Sequence, residues 1–167
     1  QQLLEHVSAF AHDGLEARER VRRIVRVAGV EGAERGDLAL LPELAETGLV
    51  DAGKDISQGG IAGTALMLAE CSGCGFAIDL DAVPVPPGIA TERWLRSFPS
   101  FGFLLSVRPA HAAQVCNRFA TRGITAAAIG TAIAAPRIDL QVGGTTATFW
   151  DYSAQPYLNL MPEHAHA

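Results

Sequence analysis

Lysine is almost absent from this 167-residue chain: of 13 basic residues, all but Lys54 are arginines. Basic charge is itself in the minority, against 18 acidic residues, for a formal net charge of −5 at pH 7. Nothing in that balance draws a polyanion to the whole molecule, and aromatic residues, at 7%, leave few rings for bases to stack on. Nucleic acid is therefore not an expected partner. Cysteine is scarce too. Three residues, an odd number, make no disulfide scaffold and fit a reducing, cytoplasmic compartment. Long apolar runs are missing, since no stretch reaches the ~20 residues that a membrane-spanning helix needs. Gln1–Ala11 lacks the basic lead and apolar block of a secretory signal. A membrane is not an expected partner either.

What remains is 49% hydrophobic and 19% charged, enough to bury the core of one domain. The chain opens Gln-Gln-Leu-Leu with no methionine, which reads as a fragment or a processed chain.

The apolar spacing of Gln1–Gly29 predicts helix, broken at His12-Asp13-Gly14, and Glu31–Gly36 a polar turn. Asp37 is the expected N-cap of a helix running to Thr47, restarted at Pro42 and ended by Gly48. Leu49–Ile56 reads as a strand edge, Ile61–Cys71 as an apolar helix and Phe76–Leu80 as a strand before the Pro-rich loop Val83–Gly88. Thr91 is the expected cap of a helix to about Phe98. Gly102–Val107 is a strand, Pro109–Arg122 a helix closed by Gly123, and Ile124–Ala132 a buried strand. Arg137–Val142 and Thr145–Trp150, joined by Gly143-Gly144, form a hairpin, and the tail after it is loop-like. The order predicts an α/β or α+β fold, a mixed β-sheet covered by helices.

One stretch carries chemistry: Lys54-Asp55-Ile56-Ser57-Gln58-Gly59-Gly60-Ile61-Ala62-Gly63-Thr64. It passes from an extended segment through a glycine-rich bend into a helix N-terminus, where exposed N–H groups and the helix dipole favour phosphate. Asp55 offers the hard oxygen that Mg²⁺ prefers, Ser57 a hydroxyl, and Lys54 a point charge. The same residues also suit a purely structural role: Ser57 as a helix cap, Asp55 as a turn brace, and Gly59 and Gly60 as a close-packing pair. The pattern is neither a P-loop nor a dinucleotide glycine motif.

The run Lys54–Thr64 resembles the Asp-hydrophobe-Ser-x-Gly-Gly signature in the C-terminal domains of the AIR synthase superfamily. That superfamily includes aminoimidazole ribonucleotide synthase, formylglycinamidine ribonucleotide synthase, thiamine-monophosphate kinase, selenophosphate synthetase and a hydrogenase maturation factor. Glu70–Gly75 with Phe76–Leu80, Phe101–Val107 and Gly123–Gly130 resemble further family stretches in the same order, so the likeness covers about Leu38 to Asp151. It implies a lead-in or linker over residues 1–36, a C-terminal-type domain over 37–151 and a tail over 152–167. It further implies a parent enzyme, ligase- or kinase-like, that uses ATP and Mg²⁺ for phosphoryl transfer to a small-molecule substrate. A missing N-terminal ATP-binding domain would supply most metal-binding aspartates and build a homodimer, and this piece alone would be inactive. Carried over by position, Asp55 would be a metal ligand, and Lys54, Ser57, Gly59 and Gly60 nucleotide-phosphate contacts. In the thiamine-monophosphate kinase branch an aspartate follows the serine, where this chain has Gln58. The alternative is a non-catalytic phosphate- or nucleotide-binding regulatory module, or a structural subunit, on the same fold.

Other candidates read as structural. Cys71 and Cys74 make a lone C-x-x-C without the second pair a zinc site needs, and Cys116 lies in an apolar helix. His164 and His166 end a solvated tail, and His111 reads as surface. Arg18, Arg20, Arg22, Arg23 and Arg26 read as a solvated helix face, with docking to phosphate, an acidic partner or the missing domain as the alternative. Trp94, Phe98, Phe101 and Phe103 read as core or interdomain contact, and Trp150 as packing for the last strand.

Overall fold

A computed structural model describes residues 22–28, 37, 39–97 and 102–159. In chain order these form β1 (Arg23–Ala28), α1 (Leu40–Glu46), β2 (Ala52–Asp55), α2 (Gly60–Ser72), β3 (Gly75–Asp79) and α3 (Thr91–Leu95). Then follow β4 (Gly102–Val107), a 3₁₀ turn (Pro109–His111), α4 (Ala112–Ala120), β5 (Thr125–Ile133), β6 (Arg137–Val142) and β7 (Thr145–Asp151). The strands make one seven-stranded sheet in the order β2-β4-β1-β5-β3-β6-β7. Every pairing is antiparallel except β3 with β6, so the sheet is mixed and the class is α+β, as expected.

The strand alternation sorts side chains into two cores. On one face Ile24, Leu104, Ile78, Phe76, Ile129 and Ile138 pack against Ile61, Ala65, Leu66, Leu68 and Ala69 of α2. On the other face Val25, Val27, Leu105 and Val107 meet Leu40 and Leu44 of α1 and Val115 and Phe119 of α4. Ile61, Leu66 and Leu68 are 2%, 2% and 4% exposed, and burying each contributes about 1.5–3 kcal/mol. This is why the Ile61–Cys71 run is a helix: it is rich in alanine and leucine, carries no β-branched series, and buries most of its surface. It ends at Gly73, whose φ of +63° turns the chain and lets the cap N–H reach the Ala69 and Glu70 carbonyls.

Several expectations are corrected. Arg23–Ala28 is not helix but β1, at the centre of the sheet between β4 and β5. Its Arg-Arg-Ile-Val-Arg-Val run fits both periods, and two flanking strands decide for the extended form. Gln1–Val21 and the Glu31–Gly36 turn lie outside the described residues, as do Phe98, Phe101, His164 and His166. Asp37 is not the cap of α1, which is Ala39; its carboxylate instead lies 2.8 Å from Arg122. Ala90, not Thr91, caps α3, and Pro109 opens a 3₁₀ turn ahead of the α-helix. β5 is only partly covered: Ile129 is its one fully buried residue. Among the arginines, Arg22 is no solvated residue, since it is 5% exposed and forms an ion pair at 2.7 Å with Asp51. Gly143 and Gly144, with φ of +54° and +76°, make the tight turn that the hairpin requires.

Candidate functional site

Among the described residues β2 is a sheet edge that pairs only with β4. Register sets Lys54 opposite Leu104, on the face that α2 covers, and Asp55 opposite Phe103, on the other. The two side chains meet around the strand edge, Lys54 Nζ lying 3.1 Å from Asp55 Oδ1. Asp55 is 64% exposed along its side chain, so the pair is solvated and worth little to stability. Ile56 then plugs into the core, and Ser57, Gln58 and Gly59 turn the chain into α2.

The bend is held by its own backbone. The Gly60 N–H donates to the Ser57 carbonyl at 2.8 Å, and the Ser57 N–H donates to the Thr64 hydroxyl at 3.3 Å. Ser57 is not the helix cap: Gly59 takes that place and no side chain caps α2, so the helix opens without a side-chain acceptor. Nor does Asp55 brace the turn, since its carboxylate accepts from the Lys54 ammonium beside it in the strand. The close-packing reading does hold for the glycines. Gly60 has φ +61°, and an added Cβ would overlap the Leu95 carbonyl oxygen and sit 3.2 Å from Arg96 Cα; at Gly59 it would lie 3.0 Å from Gly63 Cα.

That contact seats the end of α3 on the mouth of α2. It brings the exposed Arg96, which motif reading missed, next to the glycine bend, its Nε donating to the Glu92 carbonyl at 3.2 Å. Trp94, half-buried against the α2 core, ties the same helix to the Pro-rich loop through its indole N–H and the Pro84 carbonyl at 2.8 Å. Thr64 was inside the quoted motif, yet its buried hydroxyl has a role only once the helix folds back on Ser57.

A hollow of about 230 Å³ beside the β6–β7 turn is lined by Asp79, Asp81, Gln141, Val142, Gly144 and Thr146. Its two carboxylates repel anions, and Asp81 is engaged by the Gly143 N–H at 2.6 Å. No group of three histidine, cysteine or acidic residues gathers to hold a metal ion among the described residues. The three cysteines are free thiols. Burial pushes the Cys74 thiol up to about 11, and burial with the Glu70 carboxylate raises Cys71 against the pull of Lys54.

A mixed seven-stranded sheet covered by helices, with a glycine-mouthed helix following its edge strand, defines an α+β domain. The chain belongs to the family described as AIR synthase related protein, C-terminal domain, which matches residues 4–143. An uncharacterized protein of Synechocystis sp. is 50% identical over 117 residues, covering 70% of this chain and 36% of its own. The phosphoribosylformylglycinamidine synthase subunit PurL of Beijerinckia indica is 30% identical over 126 residues, 75% of this chain and 17% of that protein. Among solved structures, Thermotoga maritima PurL complexed with FGAR superposes with a TM-score of 0.68 at 15% identity, over 81% of this chain and 28% of that one. Escherichia coli HypE, a hydrogenase maturation protein, gives 0.62 at 22% identity, over 83% and 52%. At these identities the structures show the shared fold. The chain spans 36% of the length of the Synechocystis relative and 37% of that of an uncharacterized protein of Methanocaldococcus jannaschii, which is 28% identical over 121 residues.

Proposed function

We propose that this chain is the C-terminal domain of an ATP- and Mg²⁺-dependent phosphoryl-transfer enzyme, contributing phosphate and metal contacts to a site completed elsewhere. The observation that carries the reading is the corner where β2 ends and α2 begins, with Lys54 and Asp55 closing the strand and an uncapped helix N-terminus opening at Gly60. Solved PurL structures complexed with ATP, ADP and AMPPCP support it at family level. In this reading Lys54 and the Ser57 hydroxyl meet phosphate oxygens, while the exposed Gly59 keeps its side of the helix mouth clear and Gly60 lets α3 close the other side.

The donor set fits a Mg²⁺ ion held mainly by others: one exposed carboxylate, Asp55, with Oδ2 clear of its lysine, and no protein cage around it. Bound there, the ion would neutralise charge on the transferring phosphate. Gln58 brings no anionic oxygen, so most metal ligands come from outside this chain. The proposed setting is a cytoplasmic homodimeric parent whose N-terminal domain binds ATP, with a linker before β1 rather than through it, and the chain alone inactive. The lack of a carboxylate at Gln58 favours a second reading, a regulatory module that binds nucleotide without chemistry.

Titrating the full-length parent with a non-hydrolysable ATP analogue and Mg²⁺ tests this. Asp55→Ala should weaken Mg²⁺-dependent binding by about tenfold or more, the loss of one charged ligand. Unchanged binding would sink the assignment, and binding without turnover would select the regulatory module.

A further inference from the structure

Beyond β7 the chain leaves the sheet, and of the described residues there, 152–159, only the first is buried. Tyr152 is 1% exposed, and its hydroxyl donates to the Cys74 carbonyl just past α2, with the Ala69 carbonyl at 3.4 Å. Residues 153–159 are exposed, Tyr157 and Leu158 among them at 45% and 39%. Apolar burial therefore does not hold this segment down. A carboxylate does: Glu70, in the C-terminal half of α2, is 0% exposed, and its two oxygens accept the Leu158 N–H at 2.8 Å and the Asn159 N–H at 2.9 Å. No cation pairs with Glu70 among the described residues. Asn159 adopts φ +56°, the left-handed turn that sets two consecutive N–H groups toward one anion. Trp150 braces the loop from the side, its indole N–H donating to the Gln155 carbonyl at 2.8 Å and its ring meeting Tyr157 edge-on at 5.8 Å.

We propose that Glu70 is the receptor of a main-chain latch, whose carboxylate fastens residues 153–159 across α2 and whose opening leaves the sheet intact. Two features make the attachment a latch rather than core. The segment lies past residue 143, where the match to the family ends, and beyond the last strand of the sheet. Closing it takes a carboxylate out of water, a cost the two charge-assisted bonds offset, so closed and open states are near in free energy. Tyr152 stays seated in either state. The latch is independent of the phosphate-site reading, since it sits at the other end of α2.

Hydrogen exchange and limited chymotrypsin digestion of the full chain test the idea. In the unmodified chain the Leu158 and Asn159 amides should exchange about tenfold or more slowly than that of Tyr157, which has no acceptor in the structure. Glu70→Gln, which keeps the shape but turns a donor toward one N–H, should abolish that protection. It should also raise cleavage after Tyr157 by a similar factor, with cleavage after Phe119 and Phe149 unchanged. Equal exchange at Tyr157, Leu158 and Asn159 in the unmodified chain would overturn the proposal. So would cleavage that rises equally at Tyr157, Phe119 and Phe149 in the variant, because Glu70 would then be an ordinary core residue.

Discussion

Replacing Gly60 by alanine isolates the contact that builds the candidate corner. Two costs add there. A φ of +61° in an L-residue costs about 1–2 kcal/mol, because its Cβ crowds the following carbonyl. The same Cβ overlaps the Leu95 carbonyl oxygen and presses on Arg96 Cα at 3.2 Å, so α3 must retreat, at roughly 1–3 kcal/mol for overpacking against backbone. Gly48 is the control. Its φ is +70° and nothing lies within 4 Å of an added Cβ, so Gly48→Ala carries the backbone cost alone. Urea denaturation followed by tryptophan fluorescence reads both variants, with Trp94 on α3 as a local reporter. Gly60→Ala should be the less stable by the packing cost and should alone disturb the folded-state emission. If the two alanines prove equally costly, α3 does not rest on the mouth of α2 and the placement of Arg96 is wrong.

Other consequences are as sharp. Asp51→Ala should lower stability, because it removes the carboxylate 2.7 Å from the buried Arg22 side chain and 3.6 Å from Arg108; urea melts measure it, and an unchanged midpoint would refute the role of the pair. Burial acts to raise the Asp139 carboxyl, but hydrogen bonds from Arg137 and Thr148 and the Arg137 charge outweigh it and hold the group below its usual range. A depressed folded value gives stability that is present above the unfolded carboxylate value and lost as pH falls through the folded one. Asp139→Asn should therefore flatten the acid loss of stability in thermal melts from neutral pH to about pH 3. Thiol labelling of the native chain should find Cys74 slow at neutral pH and accelerating toward its thiolate value of about 11; fast labelling at neutral pH would contradict its burial.

Legibility followed locality. β4 was readable to the residue, because Gly-Phe-Leu-Leu-Ser-Val is apolar, β-prone and bounded by a glycine and a proline two residues on. The β6–β7 hairpin was readable from Gly143-Gly144, and α2 from its alanine and leucine content. The glycine bend was readable as chemistry, yet its structural share was not: Gly60 is glycine because Leu95, 35 positions on, lies against it. β1 was misread because a run with isoleucine and valine at positions 24, 25 and 27 satisfies a helical stripe as well as a strand. Glu70 looked like one more polar residue of α2, for its partners lie 88 and 89 positions away.

The sequence by itself determined the class, the family and the order of most elements, since periodicity, turn residues and a contiguous motif are written in neighbouring positions. Tertiary structure decided which strand is central, which arginine is buried, what fills the space beside Gly60 and what the Glu70 carboxylate holds. Those outcomes depend on pairing and packing between residues far apart in the chain, where burial turns a local preference into a single arrangement.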